Sequence, residues 1–253
     1  MAKVAVMVIH GIGDQDDDFA DDFMESISNK VDAKQSDYLI DSCHWADVLQ
    51  TNQNDMVDDI QSSSYFWQLI TRWVKKKLVT HFSDATSYYK AYGEIHCEVK
   101  KKLREMQNKV DKDCKFIVVA HSLGAMILSD FIYDHQKPKS EKLALIESLK
   151  EIITFGANIP LFRMGFKNDK RVAISGENGH GERINWNNYY SPFDLLGYQL
   201  HDFYTDPLNR PVINDSRLFF VGPWWFCALS HNYYWEKSRI IDFIAGKVDE
   251  YCK

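Results

Sequence analysis

The chain lacks the cationic excess of a nucleic-acid binder. Over 253 residues, 30 Lys and Arg stand against 36 Asp and Glu, a formal net charge of −6. Neutralising phosphates needs the opposite balance, so general nucleic-acid binding is not expected. Long apolar runs are also missing: none approaches the ~18 residues of a spanning helix, so no transmembrane segment is expected. The opening run, Val4 to Ile9, holds only six apolar residues and is too short for a signal-peptide core. Cysteine pairing motifs are absent as well. The five cysteines (Cys43, Cys97, Cys114, Cys227, Cys252) are odd in number, scattered and free of any C-x-x-C. They read as free thiols of a reducing compartment, not as a disulfide framework or zinc site, and a cytoplasmic location is expected. Without a secretory signal, the sequon Asn214-Asp215-Ser216 reads as chance. No repeat, low-complexity tract or flexible linker breaks the chain, so one domain spanning 1–253 is expected. What remains, 45% hydrophobic and 26% charged residues, is the ordinary composition of a globular protein with a substantial core.

Within that composition, Val- and Ile-rich runs alternate with longer helical stretches, the pattern of a parallel sheet with crossover helices. The predicted strands are 3–9, 38–43, 115–120, 150–155, 184–190 and 212–220. Ile95, Val99, Leu103, Met106 and Val110 recur at three- and four-residue steps and predict a helix over about 93–110. Phe66, Leu69, Ile70, Trp73 and Val74 predict another over about 64–79, and Ile240, Ile241, Phe243, Ile244 and Val248 a last one over about 235–248. Between the second and third strands lie 71 residues (44–114), far more than the roughly dozen a crossover needs. That stretch carries many aromatics, among them Trp45, Tyr88, Tyr89 and Tyr92. Residues 44–92, with a second insert at 157–183, are therefore expected to form a helical cap.

The chemistry concentrates at strand ends. Ala120-His121-Ser122-Leu123-Gly124 follows the apolar strand KFIVV and precedes a helical run. A nucleophilic serine in such a turn sits in strained backbone, with its Oγ pushed above the sheet. Residues two before and two after it must be small because strand and helix nearly touch. Gly124 meets that demand, and Ala120, in place of the usual Gly, is the smallest residue with a Cβ. The first strand closes on His10-Gly11-Ile12-Gly13, a turn that can bring a second backbone N–H to an oxyanion. The expected donors are the amides of Ile12 and Leu123. The same turn also resembles a dinucleotide-binding loop with Asp41 as the ribose acid. Asp16-Asp17-Asp18, however, would repel a pyrophosphate and suits helix capping better than phosphate or calcium.

A serine nucleophile needs a base, and the base an orienting acid. The chain order for this elbow is Ser, acid, His. Asp194, in the turn after the strand ending NNYY, is the expected acid, with Asp202 and Asp206 as rivals. His231, between the last strand and the final helix, is the expected base. His201 lies only seven residues past Asp194, and His180 precedes the acid.

These ordered motifs resemble the α/β-hydrolase superfamily, and within it the lipase and esterase branch. An A-x-S-x-G elbow is similar to that of some bacterial lipases, and NYYSPFDLLGY (188–198) faintly resembles intracellular phospholipases. The resemblance implies an α/β-hydrolase fold: a mostly parallel sheet of about six strands, flanked by helices, without the family's usual first strands. It implies a serine hydrolase that cleaves carboxylic esters through an acyl-enzyme, using Ser122, Asp194 and His231 and neither metal nor organic cofactor. The expected partner is a small ester or lipid substrate. A thioesterase or amidase on the same triad, or a non-catalytic scaffold binding a ligand or partner, are the alternatives. Lys75-Lys76-Lys77 and Lys100-Lys101-Lys102 read first as solvated helix faces, with peripheral contact to anionic lipid as the sharper option. Trp224-Trp225-Phe226 reads either as core packing or as the wall of an acyl pocket.

Overall fold

The computed structural model describes residues 1–11, 18–45, 48, 87–163, 177–202, 204, 212–219, 221 and 227–253. Six strands run in chain order: β1 (Ala2–Ile9), β2 (Tyr38–Cys43), β3 (Val110–His121), β4 (Leu149–Phe155), β5 (Asn185–Tyr190) and β6 (Ile213–Arg217). They form one sheet in the order β2-β1-β3-β4-β5-β6, and every neighbouring pair is parallel. The helices are α1 (Asp21–Ser28), α2 (Tyr92–Gln107), α3 (Leu123–His135), α4 (Ala144–Glu147), α5 (Ile159–Arg163) and α6 (Ser238–Cys252), with a 3₁₀ segment over Cys227–Glu236.

The near-continuous apolar sequence of the central strands follows from burial on both faces. Side chains alternate along a strand, so Ala5, Met7 and Ile9 of β1 join Phe116, Val118 and Ala120 of β3 in one core. Ile95, Val99, Leu103 and Met106 of α2 and much of α3 complete it. Val4, Val6 and Val8, with Ile117 and Val119, face the opposite core, which Phe23 and Ile27 of α1 and Ile240, Ile241, Ile244 and Val248 of α6 close. Each fully buried Val, Ile or Leu contributes about 1.5–3 kcal/mol of apolar transfer, so burial on both faces strongly stabilises the sheet centre.

Several boundaries differ from the sequence reading for local reasons. β3 starts at Val110 rather than Lys115, because Val110 and Cys114 turn inward across a register shift opposite β1. The intervening Asp111-Lys112-Asp113 had hidden that extension. The helix expected to reach 110 accordingly ends at Gln107. The last strand stops at Arg217, since Phe219 turns outward. Residues 231–236 wind as 3₁₀ turns, and the final helix begins only at Ser238. α1, anchored by just two buried residues, Phe23 and Ile27, left too short a periodic signal to find. The predicted helix at 64–79, nearly all of the expected cap at 44–92, and 164–176 of the second insert lie outside the described residues.

Among the cap aromatics that are described, Trp45 stacks on His10, while Tyr88 and Tyr92 hydrogen-bond Asp130 and Asp134 of α3. Those tyrosines pack along the flank of α3. Cys43, Cys97, Cys114 and Cys252 are free thiols. Among the described residues no helix is long and apolar enough to cross a membrane.

Candidate active site

Sheet register decides which residues meet. Ile9 pairs with Ala120, Ala120 with Thr154, Phe155 with Tyr189 and Tyr190 with Arg217. The chain therefore leaves β1, β3, β4 and β5 along one carboxyl edge, where open parallel sheets place their sites. His10, Ser122, Asn158 and Asp194 all follow at that edge.

Ser122 lies between β3 and α3 with φ 54° and ψ −122°, and among the described residues it alone has a positive φ without being glycine. Holding an L-residue there costs about 1–3 kcal/mol, which the flanking strand and helix must over-determine. They do so by close approach. A Cβ on Gly124 would stand 2.4 Å from the carbonyl oxygen of His10 and 2.9 Å from that of Ile9. A Cβ on Gly11 would stand 2.6 Å from the Cβ of Ser122. Both glycines are fixed by backbone or near-backbone atoms with no room to yield. Ala120 is fully buried between neighbouring strands, so its small side chain is accommodated where the usual elbow has glycine.

His231 approaches from the 3₁₀ segment. Its Nε2 lies 2.7 Å from Ser122 Oγ, and its Nδ1 lies 2.8 Å from Asp194 Oδ2. An ionised carboxylate only accepts, so Nδ1–H donates to Asp194 and Nε2 is left to accept the Ser122 hydroxyl proton. All three residues are buried. Asp194 is itself fixed, its Oδ1 accepting the Leu196 backbone N–H at 2.9 Å. The structure thus brings together the serine, histidine and aspartate named from the sequence. His231 occupies a 3₁₀ turn, whereas a loop directly after the last strand was expected.

The other expected site residues serve the turn at β1. The Trp45 backbone N–H donates to His10 Nε2 at 3.3 Å, so His10 Nδ1 carries the proton and donates to Gly11 O at 2.7 Å. Trp45 also stacks on the imidazole and donates its indole N–H to His10 O. Burial pushes the His10 pKa down to about 3, keeping this locked ring neutral. Leu123 is the first residue of α3, where a backbone N–H has no partner within the helix and the helix dipole is positive. Ile12, the other expected oxyanion donor, lies outside the described residues.

The rivals are engaged elsewhere. His201 Nδ1 bonds Asp215 at 2.9 Å, and its Nε2 meets Asp202, whose side chain is 79% exposed. His180 sits in a turn, its backbone N–H bonded to Asn178 Oδ1. Asp41, the would-be ribose acid, pairs with Lys102 at 2.6 Å and Lys109 at 3.5 Å. Lys100 pairs with Glu141 and Lys101 with Glu98, so each member of that lysine run has an acidic partner. Among the described residues no cluster of His, Cys, Asp and Glu could hold a metal ion. Asp206, Lys75–Lys77 and Trp224–Phe226 lie outside the described residues.

Three residues escaped the sequence reading. His121 Nε2 lies 2.9 Å from the His231 carbonyl oxygen, and the two rings are 4.7 Å apart, so His231 is tied to the end of β3 next to Ser122. Tyr234 accepts the Ser191 N–H at 2.9 Å, and both burial and its hydrogen bond to Asp194 push its phenol pKa up. It thus holds both ends of the Ser191–Asp194 turn. Asn158, just past β4, points Nδ2 at Ser122 Oγ over 3.3 Å. His121 stood next to the serine in the elbow. Tyr234 and Asn158 carried no local motif.

No protein-family profile and no curated protein sequence matches the chain. Thirty-five solved chains match it in structure. One is an iodinated complex of acetyl xylan esterase, at 10% identity and TM-score 0.43, covering 98% of this chain and 99% of that one. A cutinase-like protein from Cryptococcus sp. is 10% identical with TM-score 0.41, over 99% of this chain and 95% of that one. The esterase domain of a Rhodothermus marinus protein is 10% identical with TM-score 0.37, over 98% and 85%. The fold is evident from the chain's own topology. A six-stranded parallel sheet between two helical layers, with a strained serine turn after its central strand β3, is an α/β-hydrolase fold.

Proposed function

We propose that the protein is a serine hydrolase that cleaves carboxylic esters through an acyl-enzyme. The observation that carries this reading is the continuous hydrogen-bonded chain from Ser122 Oγ through His231 to Asp194, at 2.7 and 2.8 Å, beginning on a strained elbow. Those three groups supply nucleophile, base and orienting acid. Ser122 Oγ attacks the ester carbonyl carbon while its proton passes to His231 Nε2. Asp194 holds the imidazole in the tautomer that can accept it and balances the imidazolium. The oxyanion that forms is met by the Leu123 amide, with the Ile12 amide as its proposed second donor. Collapse breaks the ester C–O bond, and the departing alkoxide takes the proton from Nε2. Water, deprotonated by the same nitrogen, then attacks the acyl-enzyme and releases the acid.

The test is hydrolysis of p-nitrophenyl butyrate by the wild-type chain and by Ser122→Ala. The reading expects turnover in the wild type and a loss of several orders of magnitude in the variant. Equal rates in the two folded proteins would remove Ser122 from the chemistry.

A further inference from the structure

Asn158 is fully buried, and its two amide atoms are treated very differently. Nδ2 lies 3.3 Å from Ser122 Oγ. Oδ1 is buried and has no hydrogen-bond partner among the described residues. The orientation follows from proton accounting. Ser122 has one hydroxyl proton, and its 2.7 Å contact with His231 Nε2 claims it. Oγ can then only accept from Asn158, so the amide nitrogen faces the serine and the carbonyl is the atom left over. An unmet acceptor in the interior is costly, and replacing the side chain by an apolar one of similar shape would remove that cost. The covalent geometry of an amide holds its O and N about 2.3 Å apart, which places this orphan within about 6 Å of the attacking oxygen. Ser122 is itself only 1% exposed. The serine and the amide beside it are therefore buried together.

We infer that Asn158 is a specificity-determining residue, whose carbonyl accepts a hydrogen bond from a hydroxyl on the carbon chain beside the scissile ester. The substrate class is thus a hydroxylated ester, either a hydroxy-acid ester or the ester of a polyol. This rests on the serine-hydrolase reading of the same site. A distance of up to about 6 Å from Oγ spans the two bonds from the reacting carbonyl carbon to a 2-hydroxyl on the acyl side, or the four to a hydroxyl on the alcohol side, plus one hydrogen bond. Bound substrate would supply the donor that Oδ1 lacks among the described residues.

Two matched pairs distinguish the acyl and alcohol sides: ethyl 2-hydroxybutyrate against ethyl 2-methoxybutyrate, and 2-hydroxyethyl butyrate against 2-methoxyethyl butyrate. The methoxy group keeps the electronic effect, removes the donor and adds one methyl, whose bulk the Asn158→Leu comparison controls for. The wild type is expected to favour the hydroxy member of one pair by at least about tenfold in kcat/KM. In Asn158→Leu that ratio should fall close to one, whatever the variant's absolute rate. Ratios near one in both wild-type pairs overturn the inference even if the variant does not fold. A preference that survives in Asn158→Leu overturns it too, because bulk alone would then explain it. Fluorophosphonate labelling separates the two levels. A wild type that labels and hydrolyses all four esters without preference defeats this inference only, whereas one that neither labels nor hydrolyses defeats the serine-hydrolase reading and this inference with it.

Discussion

Near the carboxyl edge of the sheet, the pairs His231–Asp194 and His201–Asp215 are nearly the same length. His231 meets Asp194 at 2.8 Å and His201 meets Asp215 at 2.9 Å. They differ in what the second ring nitrogen finds. In His231 it faces a buried serine hydroxyl on a strained turn. In His201, whose side chain is 37% exposed, it faces the solvated Asp202 carboxylate. Asp215 is moreover committed to architecture, since it also accepts the backbone N–H groups of Leu200 and His201 and the amide of Asn188. A histidine with a carboxylate is common structural currency. On the proposed reading, a third group able to give up a proton, the Ser122 hydroxyl, gives the first pair a chemical role and leaves the second as a clasp.

The strongest way to break that contrast is to remove the members of the first pair. His231→Ala should lower kcat as far as Ser122→Ala does, by about 10⁴-fold or more, because nucleophile and base act as a unit. Steady-state ester hydrolysis by both purified variants checks this, and a mild His231→Ala would give the base's role to another residue. Asp194→Asn should cost somewhat less, about 10³–10⁴-fold in kcat with the fold retained, since the imidazole loses its tautomer control and countercharge. Circular dichroism beside the kinetics separates that loss from unfolding.

A smaller effect should appear in stability. His10 has a folded pKa of about 3 against an ordinary 6.5, so it is the unfolded chain that takes up the proton below pH 6.5. Stability is therefore intact above pH 6.5 and falls as pH drops toward 3, by about 2 kcal/mol at pH 5 from this one group. Urea titrations at pH 7 and pH 5 should show a smaller pH-dependent loss for His10→Asn than for the wild type. An identical slope would mean that His10 is not held neutral. The least effect belongs to the second pair's exposed partner. Asp202→Asn should stay within about threefold of the wild-type rate, as surface changes away from a site do. A collapse there would reverse the contrast altogether.

How much of this was legible beforehand depended on how local each signal is. The apolar runs of β1, β3 and β4 are long because both faces are buried, and the serine elbow is defined by its immediate neighbours. Asp194 and His231 followed from chain order, since each leaves the sheet on the edge its strand dictates. Asn158 and Tyr234 were invisible for the opposite reason. An asparagine after a strand and a tyrosine three residues past a histidine look like any others until the register of β4 and the 3₁₀ winding of 227–236 bring them to Ser122 and Asp194. The start of β3 at Val110 was missed because three polar residues interrupt its pattern, and α1 because two buried residues make too short a period.

The central claim is that Ser122 is an activated nucleophile, and covalent trapping tests it most directly. The folded protein should be treated with a fluorophosphonate, digested, and its peptides mapped by mass. One adduct is expected, on Ser122, and it should vanish in Ser122→Ala. A folded wild-type protein that takes up no label, or takes it on a different residue, would contradict the claim and leave the chain as a scaffold that binds without reacting.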